Sequence, residues 1–176
     1  MPEHPEPPAA GRHRATSVLV AVTPRQPDVV LRTALRLATA LGAELVCAHV
    51  DQSAYVVAEH PDGTVETRPI DPDVQEWTET QFDPELAFRL QRVATASGVT
   101  LRTVELAGEV ARAIGRLADQ VNAELVVVGS RSGVRAGIRD YLGGSVAVHL
   151  AHRQHRPVVV VPLAARAEGP LPWEEA

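Results

Sequence analysis

The groups best suited to chemistry lie between Glu124 and Pro162, in the run ELVVVGSRSGVRAGIRDYLGGSVAVHLAHRQHRPVVVVP. Leu125 to Val128 form a short unbroken apolar run rich in β-branched residues, stopped at once by Gly129. Such a run predicts a parallel strand buried on both faces. A loop of Gly, Ser and Arg follows, and Gly143-Gly144-Ser145 then opens a helix reaching to about Ala151. Pro157 cannot stand inside that helix, and Val158 to Val161 read as a second buried strand. In the order strand, glycine loop, helix, strand, a loop backbone and a helix N-terminus can face one anion together. The N–H groups of Gly144, Ser145 and Val146 have no acceptor within the helix, and the Ser145 hydroxyl adds a donor. Arg131, Arg135 and Arg139 in the loop are the side chains that would pair with phosphate, although each alone also suits a solvated loop.

Other reactive side chains carry less. His149, His152 and His155 recur every third residue on the last helix, fan across its surface and have no carboxylate or thiolate nearby in sequence. A zinc site needs both that support and a second shell, so a solvated or partner-facing surface is expected. His49 and Cys47 share one face of a strand. A hydrogen-bonded core histidine and an inert buried thiol are the expected roles. No nucleophile elbow, Walker A loop or His-Glu-x-x-His motif is present, and no general acid–base pair shares an element. The chain is therefore not expected to be an enzyme.

The elements that position these groups follow from apolar spacing. Residues 1–14, rich in Pro, Ala and Gly, are expected to form a disordered tail, and residues 164–176, with Trp173, a mobile one. Between them residues 15–163 form one domain. Residues 17–22 (SVLVAV) are the first buried strand, followed by the turn Thr23 to Pro27. Asp28 is the expected N-cap of a helix with Leu31, Ala34, Leu35, Ala38 and Leu41 at helical spacing, ended by Gly42. Residues 44–50 (ELVCAHV) are the second strand. Residues 55–57 and 64–68 flank His60-Pro61-Asp62-Gly63, and Asp-Gly between two β-type runs predicts a hairpin, inserted over about residues 53–70. It is expected over the sheet edge or projecting outward. Asp83-Pro84-Glu85 starts a helix that ends by Gly98. Residues 99–106 alternate enough for an edge strand, and Gly108-Glu109 opens a helix that Asn122 ends.

Composition bounds the rest. The 176 residues, 45% hydrophobic and 3% aromatic, suit a single domain with an aliphatic core, and α/β layering over an all-β sandwich. A net charge of −5 with no basic stripe argues against a nucleic-acid partner. One cysteine excludes an intrachain disulfide. No apolar run approaches the roughly 20 residues of a membrane span, and the N-terminus lacks the apolar centre of a secretory signal. A cytoplasmic protein without a membrane partner is expected.

The run from Gly129 onward resembles the C-terminal signature of the universal stress proteins: Gly-x-x-Gly, nine residues, then Gly-Ser or Gly-Thr. Gly129 matches the first glycine and Gly144-Ser145 the final pair. Ser132 stands where the second glycine belongs, Gly133 comes one place late, and the loop is two residues longer. His49-Val50 matches the ending of the family's second strand, whereas Thr23 stands where the family usually has an acid. The resemblance implies an open, Rossmann-like, five-stranded parallel sheet of order 3-2-1-4-5 with helices on both faces and the hairpin inserted. It also implies a nucleotide site, bounded by Ala21, Val22, Thr23, Val50, Val128, Gly129, Ser130, Arg131, Gly133, Gly144, Ser145 and Val146. ATP, with Mg, is the implied ligand of a stress-response regulator, with slow hydrolysis as a minor variant. The alternative is an interaction module of the same fold that binds no nucleotide and meets a protein partner. Either form is expected to be a homodimer, because the family's strand order puts Val158 to Val161 at an unprotected edge.

Overall fold

Five stretches dominated by β-branched and aliphatic residues form the central sheet. The computed structural model describes residues 16–52, 54–59, 65–69, 82–130 and 146–163. In chain order the elements are β1 (Ser17–Ala21), α1 (Val29–Leu41), β2 (Glu44–Asp51), β3 (Ala54–Glu59), β4 (Val65–Pro69), α2 (Pro84–Thr95), β5 (Leu101–Ala107), α3 (Val110–Gln120), β6 (Ala123–Gly129), α4 (Val146–Arg153) and β7 (Val158–Val161). The sheet order is β5-β2-β1-β6-β7, all parallel, which is the expected 3-2-1-4-5. The expected edge position of residues 99–106 is that of β5, half-buried along most of its length.

Each face of the sheet buries its own core. Val18, Val20, Leu45, Cys47 and Val127 point to one face and pack beneath α1 and α2 through Leu31, Leu35, Leu86 and Leu90. Leu19, Val46, Ala48, Val126 and Val128 point to the other, against Ile114 and Leu117 of α3 and Leu150 of α4. Strand alternation sorts them, and each fully buried Leu or Val contributes about 1.5–3 kcal/mol. Ser17, the buried polar residue among these strands, donates its hydroxyl to the Val121 carbonyl at 2.9 Å.

The helix ends follow their sequence signals with one exception. Asp83 caps α2, its carboxylate accepting from the Glu85 and Leu86 N–H groups, with Pro84 in the first turn. Glu109 caps α3 in the same way, accepting from Ala111 and Arg112. Gly42 takes the left-handed conformation at the end of α1, φ +61°, and Asn122 does so after α3, φ +49°. Asp28 does not cap α1: its backbone is already helical, φ −62° and ψ −13°, and its side chain makes no capping bond. A capping side chain needs a non-helical, usually extended, backbone to reach back over the first turn.

β3 and β4 form a separate two-stranded ribbon. β3 pairs antiparallel with β4, Ala54 opposite Pro69 and Glu59 opposite Val65, with an irregularity between Val56 and Ala58. It lies close to β5 without joining that strand's hydrogen-bond ladder. Its Asp62-Gly63 turn lies outside the described residues.

Candidate functional site

Strand register sets the geometry of the carboxyl end. Val20 pairs with Cys47 on one side and Val127 on the other. Two residues further on, Val22 is therefore level with His49 and Gly129, and its N–H donates to the Ala48 carbonyl at 2.8 Å. His49 pairs with Glu105, and Gly129 with Val161. Glu105, His49, Val22, Gly129 and Val161 thus form one row across the sheet, on the face beneath α1 and α2. The winding reverses between β1 and β6, where an open parallel sheet takes its ligands.

Of the residues predicted for the site, Ala21, Val50, Val128 and Val146 come together on the opposite face, within or against the core beneath α3 and α4. Val22 is buried on the α1/α2 face. Thr23 is exposed just past β1. Gly129 ends β6, and Ser130 follows with its N–H on the Val161 carbonyl at 2.8 Å and its Oγ accepting from Leu163 N–H. Arg131, Gly133, Gly144 and Ser145 lie outside the described residues.

Gly129 permits a close approach. A Cβ there would sit 2.7 Å from Gln26 Nε2 and 3.2 Å from Leu163 Cδ2 and Val30 Cγ2. The Gln26 side chain, from the β1–α1 loop, therefore lies over the end of β6. That loop is held by Arg89 of α2, which donates from Nη1 to the Pro24 carbonyl at 2.9 Å and from Nη2 to the Thr23 carbonyl at 3.4 Å.

The β2–β5 end of the row is charged. His49 Nδ1–H donates to Glu105 Oε1 at 2.7 Å, with side-chain exposures of 22% and 8%. Phe82, just before α2, meets the imidazole edge-on at 6.4 Å. The Glu105 hydrogen bond raises the His49 pKa above 6.5; burial opposes it, and the Glu105, Asp51 and Asp83 charges add to the rise. The expected hydrogen-bonded histidine is thus present, with a partner 56 residues away. Cys47 is inert as expected, burial pushing its thiol up to about 12. Among the described residues no cluster of His, Cys, Asp or Glu is able to hold a metal. Gln26, Phe82, Arg89 and Glu105 escape a sequence reading because nothing in their local spacing marks them; only the register and the α2 packing bring them here.

Comparison with known proteins agrees with this geometry. The family model described as the universal stress protein family matches residues 15–162. A universal stress protein solved in complex with cAMP is 24% identical, with a TM-score of 0.56 over 86% of this chain and 99% of that one. One from Archaeoglobus fulgidus in complex with dAMP is 21% identical, TM-score 0.53, over 84% of this chain and 98% of that one. A family protein from Arabidopsis thaliana with AMP bound is 16% identical, TM-score 0.51, over 85% and 93%. No curated protein matches the chain.

Proposed function

The chain belongs to the universal stress protein family, and from that premise we propose that it binds an adenine nucleotide at the carboxyl ends of β1 and β6. The observation carrying this reading is the junction at Gly129: it ends β6 where the winding of the parallel sheet reverses, and the glycine-bearing run to Gly144-Ser145 begins there. Support comes from the relatives solved with cAMP, dAMP and AMP.

In this reading the main-chain groups of Thr23, Val50, Gly129 and Ser130 edge the base and sugar. The N–H groups of Gly144, Ser145 and Val146 at the start of α4, with the Ser145 hydroxyl, Arg131 and the Gly133 backbone, take the phosphates. Mg would arrive with ATP, on its phosphates. No residue is assigned a catalytic role, so the protein acts as a nucleotide-responsive regulator. The reading without nucleotide is not favoured. The working form is a homodimer paired through β7, whose Val160 is 48% exposed.

Isothermal calorimetry with ATP and AMP tests the ligand. Saturable binding at one site per chain is expected, and Gly144→Glu, which adds bulk and negative charge where the phosphates sit, abolishes it while leaving thermal unfolding within a few degrees. No heat of binding to the unmutated protein at millimolar nucleotide overturns the reading.

A further inference from the structure

Phe82 and Asp83, which lead into α2, both act on the charged pair of β2 and β5. Phe82 lies edge-on to the His49 ring at 6.4 Å, and the Asp83 charge bears on the same imidazole. Asp83 Oδ1 also accepts from the Glu85 and Leu86 N–H groups at 2.8 and 3.2 Å, so the first turn of α2 is fastened to it. Glu105, whose Oε1 accepts from His49 Nδ1–H, has a side chain only 8% exposed, and no donor among the described residues reaches its Oε2. The charges that bear on His49 are Glu105 of β5, Asp51 of β2 and Asp83 before α2, all negative, with none from α1. The cations of β5 and α2 engage other groups: Arg102 meets Glu44, Arg89 the Thr23 and Pro24 carbonyls, and Arg92 the Phe88 ring. Only a protonated His49 balances this cluster. A carboxylate only accepts, so Nδ1 keeps its hydrogen; the proton that leaves comes from Nε2 and passes to bulk water. Further along α2, Arg89 holds the Thr23 carbonyl, which also accepts from the Gln26 N–H at 3.1 Å and closes the β1–α1 turn. One helix thus meets the charged pair at its start and the β1–α1 loop along its length.

We propose that His49 is a pH-responsive latch on α2: protonated, it holds Glu105, Phe82 and Asp83 together; neutral, it releases the first turn of α2 and, through Arg89, loosens the β1–α1 loop. The direction follows from the His49 pKa, raised above 6.5 chiefly by the Glu105 hydrogen bond. The latched form is complete below 6.5 and is lost as pH rises through the raised value. No nucleotide takes part, so the latch stands or falls apart from the ligand reading.

The test is an NMR titration of the full unmutated chain from about pH 6 to about pH 9. The His49 imidazole, the Leu86 N–H and the Gln26 N–H should titrate with one midpoint above 6.5. Protection of the Glu85 and Leu86 N–H groups against hydrogen exchange, corrected for intrinsic rates, should fall about 5- to 10-fold across that window, as a charge-assisted hydrogen bond becomes a neutral one. Glu105→Gln should lower the midpoint and remove the fall in protection. Arg89→Gln should keep the α2 response and abolish that of Gln26. Constant protection across the window overturns the proposal, as does an α2 or Gln26 midpoint different from that of His49. A Gln26 response that survives Arg89→Gln is a field acting through space and overturns it too. Should either variant fail to fold, the midpoints and protection in the unmutated chain decide alone.

Discussion

The two sides of β1 use the same row of the same face for opposite purposes. Towards β5 the row is Glu105 and His49, hydrogen-bonded to each other beneath Phe82. Towards β7 it is Gly129 and Val161, covered by Gln26, Val30 and Leu163. The edges differ in the same sense: β5 has the β3–β4 ribbon close by, while among the described residues no strand pairs with the outer side of β7. A charged pair under an aromatic ring fixes one side, and on the other a missing side chain lets Gln26, Val30 and Leu163 pack down onto the strand's backbone. The β2–β5 side is therefore tied by a charged pair, and the β6–β7 side by close packing on a glycine, with β7 an edge strand among the described residues.

The largest effect expected is on the bare edge. Val160 is exposed on β7, whereas Val159 packs against the core beneath α1 and α2. Val160→Lys should therefore convert a dimer to monomer, or to aggregate, with little change in the protomer's own stability, whereas Val159→Lys would damage both. Light scattering at micromolar concentration checks this; a stable monomer before mutation would show that the edge is covered from within.

Removing the charge on the other side should weaken the fold without touching assembly. Glu105→Gln keeps the shape and loses the ion pair, and should cost about 1–2 kcal/mol in urea unfolding. An unchanged midpoint would mean that the pair is ornamental and that the two sides of β1 do not differ in the way described.

The same pair carries a pH signature. His49 has its folded pKa raised above the ordinary 6.5. Its contribution is then fully present below that value and is lost as pH rises through the raised one. Thermal unfolding followed from about pH 6 to about pH 9 should show declining stability over that window, and Glu105→Gln should flatten the slope. A slope of the opposite sign, or one that survives the mutation, assigns the titration to another group.

The smallest effect concerns the glycine. Gly129→Ala pushes on Gln26 Nε2, the far end of a flexible side chain, and on Leu163 and Val30, which must give by a few tenths of an ångström. A loss of about 1 kcal/mol is expected, with Gln26→Ala returning part of it in a double-mutant cycle. If Gly129→Ala instead leaves stability intact and weakens nucleotide binding, the glycine serves the ligand more than it serves Gln26.

What the sequence by itself determined is local. Apolar runs and helical spacing marked the strands of the parallel sheet and the helix interiors, and Pro84, Gly42 and Asn122 marked boundaries, because burial, fixed φ and left-handed backbone are properties of single residues and near neighbours. The glycine pattern after β6 also carries the family resemblance. Asp28 shows where local signals stop: its type suits a cap, but its backbone is already helical and its side chain makes no capping bond. The site's side-chain contacts belong entirely to the tertiary structure. His49 meets Glu105 across 56 residues and Arg89 meets Pro24 across 65. Such pairs depend on which strands become neighbours and in what register, and a slip of one residue would turn His49 and Glu105 to opposite faces.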